Sequence, residues 1–93
     1  MENQHRKITG YRDLNQDEID LMNEIKALGP EIEGVLLKAD AHIAKLNELS
    51  KTDEALQLRL HQSTAYRFLA MAKTEMQTGL MYATRAVAQP EFF

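Results

Sequence analysis

Residues 53–88 read DEALQLRLHQSTAYRFLAMAKTEMQTGLMYATRAVA, with no proline and no glycine before Gly79 to interrupt them. As one continuous helix the stretch is roughly 54 Å long at 1.5 Å per residue. A compact globule built from the 93 residues of the chain has a radius of gyration of only about 12 Å, so a helix of that length protrudes from it. Leu69, Met76, Leu80, Ala83 and Val87 share one apolar face. Beside them Leu58, Ala65, Ala72, Gly79 and Ala86 recur at intervals of seven, and all but the first are small enough for another helix backbone to come close. Thr52 is placed to cap this helix, with Asp53 and Glu54 in its first turn favouring the positive end of the dipole.

Upstream, Asn15 with Glu18 three residues later has the form of a capping box. Ile19, Met22 and Ile25 follow at helical spacing, Gly29 suits a C-cap, and Pro30 suits the first position of a new helix. From there Ile32, Leu36, Ala39, Ile43 and Leu46 form one apolar seam. The pattern predicts an all-α fold: a short N-terminal helix, then an antiparallel helical hairpin with a long C-terminal helix. The single domain spans residues 1–93, with a basic arm over 1–14 and helices over about 16–28, 30–50 and 53–88. The middle helix is too short to cover the long one, and Phe92 and Phe93 add aromatic surface. A homo-oligomer is therefore expected. The alternative is a monomeric bundle in which the long helix breaks near Gly79 and folds back.

Composition narrows the function. The chain has no cysteine, which excludes disulfides and thiolate metal sites and fits a reducing cytoplasm. The opening MENQHRK has no apolar leader core, and no run approaches the roughly 20 apolar residues of a membrane span. A soluble, intracellular protein is expected. The net charge of −3 argues against general binding of DNA or RNA, which depends on neutralising many phosphates. His5, His42 and His61 lie in different segments, and neither a zinc motif nor a phosphate-binding glycine loop occurs. His42 reads as a histidine at the edge of the seam. No enzyme, no metal and no cofactor is expected, which disfavours a phosphodiesterase.

The charge pattern is more informative. Between Arg12 and Lys38 the only cation is Lys26, set among seven carboxylates. Lysines on acidic helices ordinarily pair three or four residues away, yet the neighbours of Lys26 at those distances are Met22, Asn23, Gly29 and Pro30. Its partner is either an acid of another helix or a bound anion. Arg67 is similar, flanked at those distances by Ser63, Thr64, Ala70 and Met71. It lies either on a solvated face or where symmetry-related guanidinium groups converge on phosphate. The arm HRKITGYRDL, residues 5–14, adds Tyr11 beside Gly10 and Arg12. Its ring can stack on a nucleobase or pack on a neighbouring subunit, and glycine permits close approach of backbone and ligand.

The blocks HRKITGYRDLNQDEIDLMNEIKALG and YRFLAMAKTEMQTGLMYATRAVAQP resemble the small phage-encoded sponges that counter cyclic-oligonucleotide-based anti-phage signalling (CBASS). The resemblance runs from about His5 to Pro90 and is weakest across the middle helix. It implies a hexamer in the cytoplasm of the infected host that sequesters cyclic dinucleotides and cyclic trinucleotides without cleaving them. It further implies that Tyr11 stacks on a base, that Lys26 holds phosphate, and that Arg67 contributes to a separate trinucleotide site where three protomers meet. Gly10 and Arg12 are secondary members of the dinucleotide site. The competing reading is a structural or adaptor helical oligomer in which Tyr11 and Lys26 only pack and pair.

Overall fold

The computed structural model describes residues 12–91. Three helices follow one another: α1 (Gln16–Ser50), α2 (Glu54–Ser63) and α3 (Ala65–Ala88), with no strand among the described residues. The 35-residue α1 is about 52 Å long. α2 and then α3 run back along it, α2 against α1 near the turn and α3 against the rest. The outcome is a rod of 61 × 24 × 18 Å with a radius of gyration of 19.9 Å, far from the roughly 12 Å of a compact chain of this length.

The capping box forms as expected. Glu18 N donates to Asn15 Oδ1 at 2.9 Å, and Asn15 N donates to a Glu18 carboxylate oxygen at 2.9 Å. The expected helix end at Gly29 does not form, and α1 passes through Gly29-Pro30 without a break. The separate short helix is thereby corrected. The half-buried residues Met22, Ile25, Gly29, Ile32, Leu36, Ala39, Ile43 and Leu46 explain why. They step by three and four residues throughout, so the apolar seam keeps its phase across the Gly-Pro pair. Gly29 lies within that seam, where an added Cβ would meet Leu80 Cδ1 of α3 at 3.9 Å. Pro30 and Lys26 are both exposed. Pro30 has no N–H to offer the Lys26 carbonyl, and the exposure of both residues leaves water as a substitute donor.

A second correction concerns residues 53–88, which do not form one helix. Asp53, one residue later than the expected cap, accepts from Leu56 N at 3.1 Å and starts α2. The chain then breaks at Thr64, which adopts the left-handed conformation with φ 47° and ψ 49°. In α2 the half-buried residues are Leu56 and Leu60, and in α3 they resume at Ala65, Leu69 and Ala72. The five-residue step from Leu60 to Ala65 cannot be accommodated on one face of a 3.6-residue helix. The break at Thr64 turns α3 so that its seam meets α1. Leu58, the apparent start of the seven-residue series, is 56% exposed. α3 itself continues through Gly79, so the alternative fold-back at that glycine does not occur.

Because α1 is continuous, it covers the face that was expected to remain wet. Leu69, Leu80, Ala83 and Val87 are half-buried, while Met76 stays exposed. Even so, no hydrophobic residue among those described is fully buried. Val35, Leu37, Phe68, Met81 and Tyr82 are each more than half exposed. A single hairpin of this shape has a seam and lacks a core.

Candidate functional site

The open end of the hairpin is joined by one side chain. Arg12 precedes α1, and its two terminal nitrogens fork onto the Glu18 carboxylate, Nη1 at 3.1 Å and Nη2 in a closer bond. Nη2 also donates to the Val87 carbonyl at 3.0 Å, in the last turn of α3, where carbonyls lack helical partners. Nη1 lies 3.3 Å from the Asp13 carbonyl. The Arg12 and Glu18 side chains are 29% and 22% exposed. The hydrogen bond from Arg12 is the main reason that the Glu18 carboxyl is held below the ordinary carboxylate value. The Asn15 N–H and the guanidinium charge act the same way, while burial opposes them. The bond to Glu18 in turn raises the Arg12 guanidinium above its usual value, against burial.

Lys26 lies on the exposed side of α1, and among the described residues its ammonium has no ion pair. Arg67 lies in the first turn of α3, exposed and likewise without an ion pair among the described residues. Its backbone N–H donates to the carbonyl of the strained Thr64 at 3.0 Å. The antiparallel register places Lys26 and Arg67 apart. With Gly29 opposite Leu80, the two cations are separated by roughly 24 Å along the hairpin axis at helical rise. Within one chain the two cations therefore do not meet. Tyr11 and Gly10, expected beside Lys26, lie outside the described residues, as do Phe92 and Phe93.

A groove of about 750 Å³ runs between α1 and α3, lined in part by Gly29, Leu36, Tyr66 and Lys73. It contains neither Lys26 nor Arg67, and Glu33 and Asp40 contribute carboxylates to its wall. Lys73 is the one cation of the lining against those two carboxylates, a balance that does not favour phosphate. No group of three or more His, Asp or Glu able to hold a metal occurs among the described residues. None of their helices is long and apolar enough to cross a membrane. Sequence reasoning missed the second role of Glu18. Arg12 precedes the helix, so neither the three- nor the four-residue rule pairs the two. The available signal was an arginine just outside a capping box whose glutamate has acceptor capacity to spare.

The amino-acid sequence matches the family model of the Acb2/Tad1 hairpin domain over residues 3–88. The chain belongs to the Acb2/Tad1 hairpin family. Within reach of it is Anti-CBASS protein 2 of Pseudomonas phage JBD67, 42% identical over 106 aligned positions that take in 98% of each chain. The family relationship thus covers all three helices and agrees with the likeness to the phage anti-CBASS sponges read from the sequence.

Proposed function

We propose that this hairpin is a phage immune-evasion protein that binds and sequesters cyclic oligonucleotide signals of the infected host without cleaving them. The observation that carries the reading is the end-to-end relationship with Anti-CBASS protein 2. The geometry supports it through two exposed cations, Lys26 and Arg67, each without an ion pair among the described residues. Lys26, with Tyr11 as the stacking ring and Gly10 beside it, serves cyclic dinucleotides. Arg67 serves cyclic trinucleotides at the junction of three protomers. Sequestration requires affinity and slow release rather than acid–base chemistry. The protein acts in the host cytoplasm.

The exposed apolar residues bear on assembly. Leu21, Leu28, Val35 and Leu49 fall at multiples of seven residues along α1, all 45% or more exposed. Burying that stripe against another copy supplies the core that one hairpin lacks, and a homo-hexamer is the assembly proposed. The same stripe is what favours the second reading, a structural or adaptor oligomer without a small ligand. One experiment separates these. The protein is mixed with cyclic nucleotide, freed of unbound ligand, denatured, and the released material chromatographed. Intact nucleotide supports sequestration, linear product indicates an enzyme, and no retained nucleotide leaves the structural oligomer.

A further inference from the structure

We propose that Arg12 is a positioning residue, held by Glu18 and the end of α3, and is not itself a phosphate ligand; this rests on the reading that Tyr11 stacks on a base. The guanidinium is already committed. Both terminal nitrogens are bonded to Glu18, and Nη2 bonds the Val87 carbonyl as well. Its Nε is buried without a hydrogen-bond partner among the described residues, which places the stem of the group inside the junction. To reach a phosphate, Arg12 would have to abandon a forked, charge-assisted pair, the strongest class of such contacts. It would also uncap a carbonyl at the C-terminal end of α3, where a cation is favoured by the dipole.

The position of this junction gives it a consequence for binding. Arg12 is peptide-bonded to Tyr11, so fixing Arg12 restricts the backbone from which the ring projects. Ordering that would otherwise be charged against ligand affinity is met in the free protein. Glu18 is the hub. It accepts from Asn15 N, from Arg12 Nη1 and from Arg12 Nη2, so one carboxylate starts α1, neutralises Arg12 and holds the guanidinium that reaches the Val87 carbonyl of α3.

The substitution Glu18→Gln separates the two roles by sign. Glutamine also serves at this place in a capping box, so α1 keeps its start while Arg12 loses its counter-charge. If Arg12 is a phosphate ligand, freeing it and removing a nearby negative charge tightens anion binding. If Arg12 positions the arm, binding weakens. Titration calorimetry with 3′,3′-linked cyclic AMP–GMP at low and high salt is expected to show about tenfold weaker binding, as when the competent arm falls to roughly a tenth of the population. The salt dependence stays unchanged. Arg12→Lys, which keeps the charge and loses the fork, is expected to weaken binding comparably. Tighter binding by Glu18→Gln, or wild-type binding by Arg12→Lys, overturns the proposal.

A measurement without nucleotide keeps this separate from the parent reading. Trypsin must seat the Arg12 side chain to cut the Arg12–Asp13 bond, so its engagement protects that bond. Mass spectrometry is expected to show cleavage after Arg12 accelerating several-fold or more in Glu18→Gln, with circular dichroism showing helix content retained. An unchanged rate overturns the proposal whether or not nucleotide binds. If wild-type protein binds no cyclic dinucleotide, the parent reading fails, and the cleavage rate alone decides whether Arg12 is held.

Discussion

Two joints interrupt the regularity of the hairpin, Gly29-Pro30 inside α1 and Ser63-Thr64 between α2 and α3. They behave oppositely to their chemistry. The first contains the two strongest helix breakers, and the helix continues. The second contains neither, and the chain leaves the helix through a β-branched residue at φ 47°, a conformation costly for such a side chain. What distinguishes them is the phase of the seam. Across Gly29 the half-buried positions step by four and three; across Thr64 they step by five. Contact with the opposite helix, repeated over many turns, outweighs about 3 kcal/mol of local proline penalty. It also outweighs the roughly 1–2 kcal/mol cost of a left-handed residue.

Each joint stands beside an exposed cation. Lys26 is one turn before Pro30, and its carbonyl is the one the proline leaves without a donor; Arg67 is three residues after Thr64 and bonded to it through the backbone. The largest expected effects therefore come from the cations. Lys26→Ala should weaken cyclic dinucleotide binding by roughly 100-fold, since charge-assisted contacts are the strong ones, and leave cyclic trinucleotide binding intact. Arg67→Ala should do the reverse. Calorimetry with both ligand classes checks the pair, and equal loss of both ligands in either variant means that the joints do not define separate sites.

The next effect is on stability. Pro30→Ala restores a donor to the Lys26 carbonyl and removes an interior proline, and should stabilise the chain by about 1–3 kcal/mol in urea unfolding. Thr64→Gly should give less, about 1 kcal/mol, because relief of the left-handed strain is partly offset by the added freedom of glycine in the unfolded chain. If Thr64→Gly destabilises, the threonine is making a favourable contact that phase alone does not require.

Much of this fold was legible because its signals were local. Asn15 and Glu18 announce the start of α1, the seam from Ile32 to Leu46 ends at Ser50, and the helical class follows from spacing alone. The errors arose where one local signal was preferred to a longer pattern. Gly29-Pro30 read as an end, although Ile25, Gly29 and Ile32 continue the seam. Leu58 read as the start of the small-residue series, although Leu56 and Leu60 are the pair that faces α1. At the site, the isolation of Lys26 and Arg67 could be read from their helical neighbours. The bond from Arg12 to the Val87 carbonyl could not, since Val87 is distant in sequence and approaches only when α3 returns along α1.

The smallest effects test what covers the outside of the hairpin. Gly34 and Gly79 are interior helical glycines, and an added Cβ at either meets nothing within 4 Å in one protomer. On propensity alone each change to alanine should stabilise by roughly 0.5–1 kcal/mol. Gly79, however, is exposed together with Ala86, seven residues on, and two small residues at that spacing allow another backbone to approach. If a second copy packs there, Gly79→Ala should lose its gain and weaken assembly in sedimentation velocity, while Gly34→Ala keeps its gain. Equal stabilisation by both would show that the α3 surface around Gly79 and Ala86 is free of a second copy.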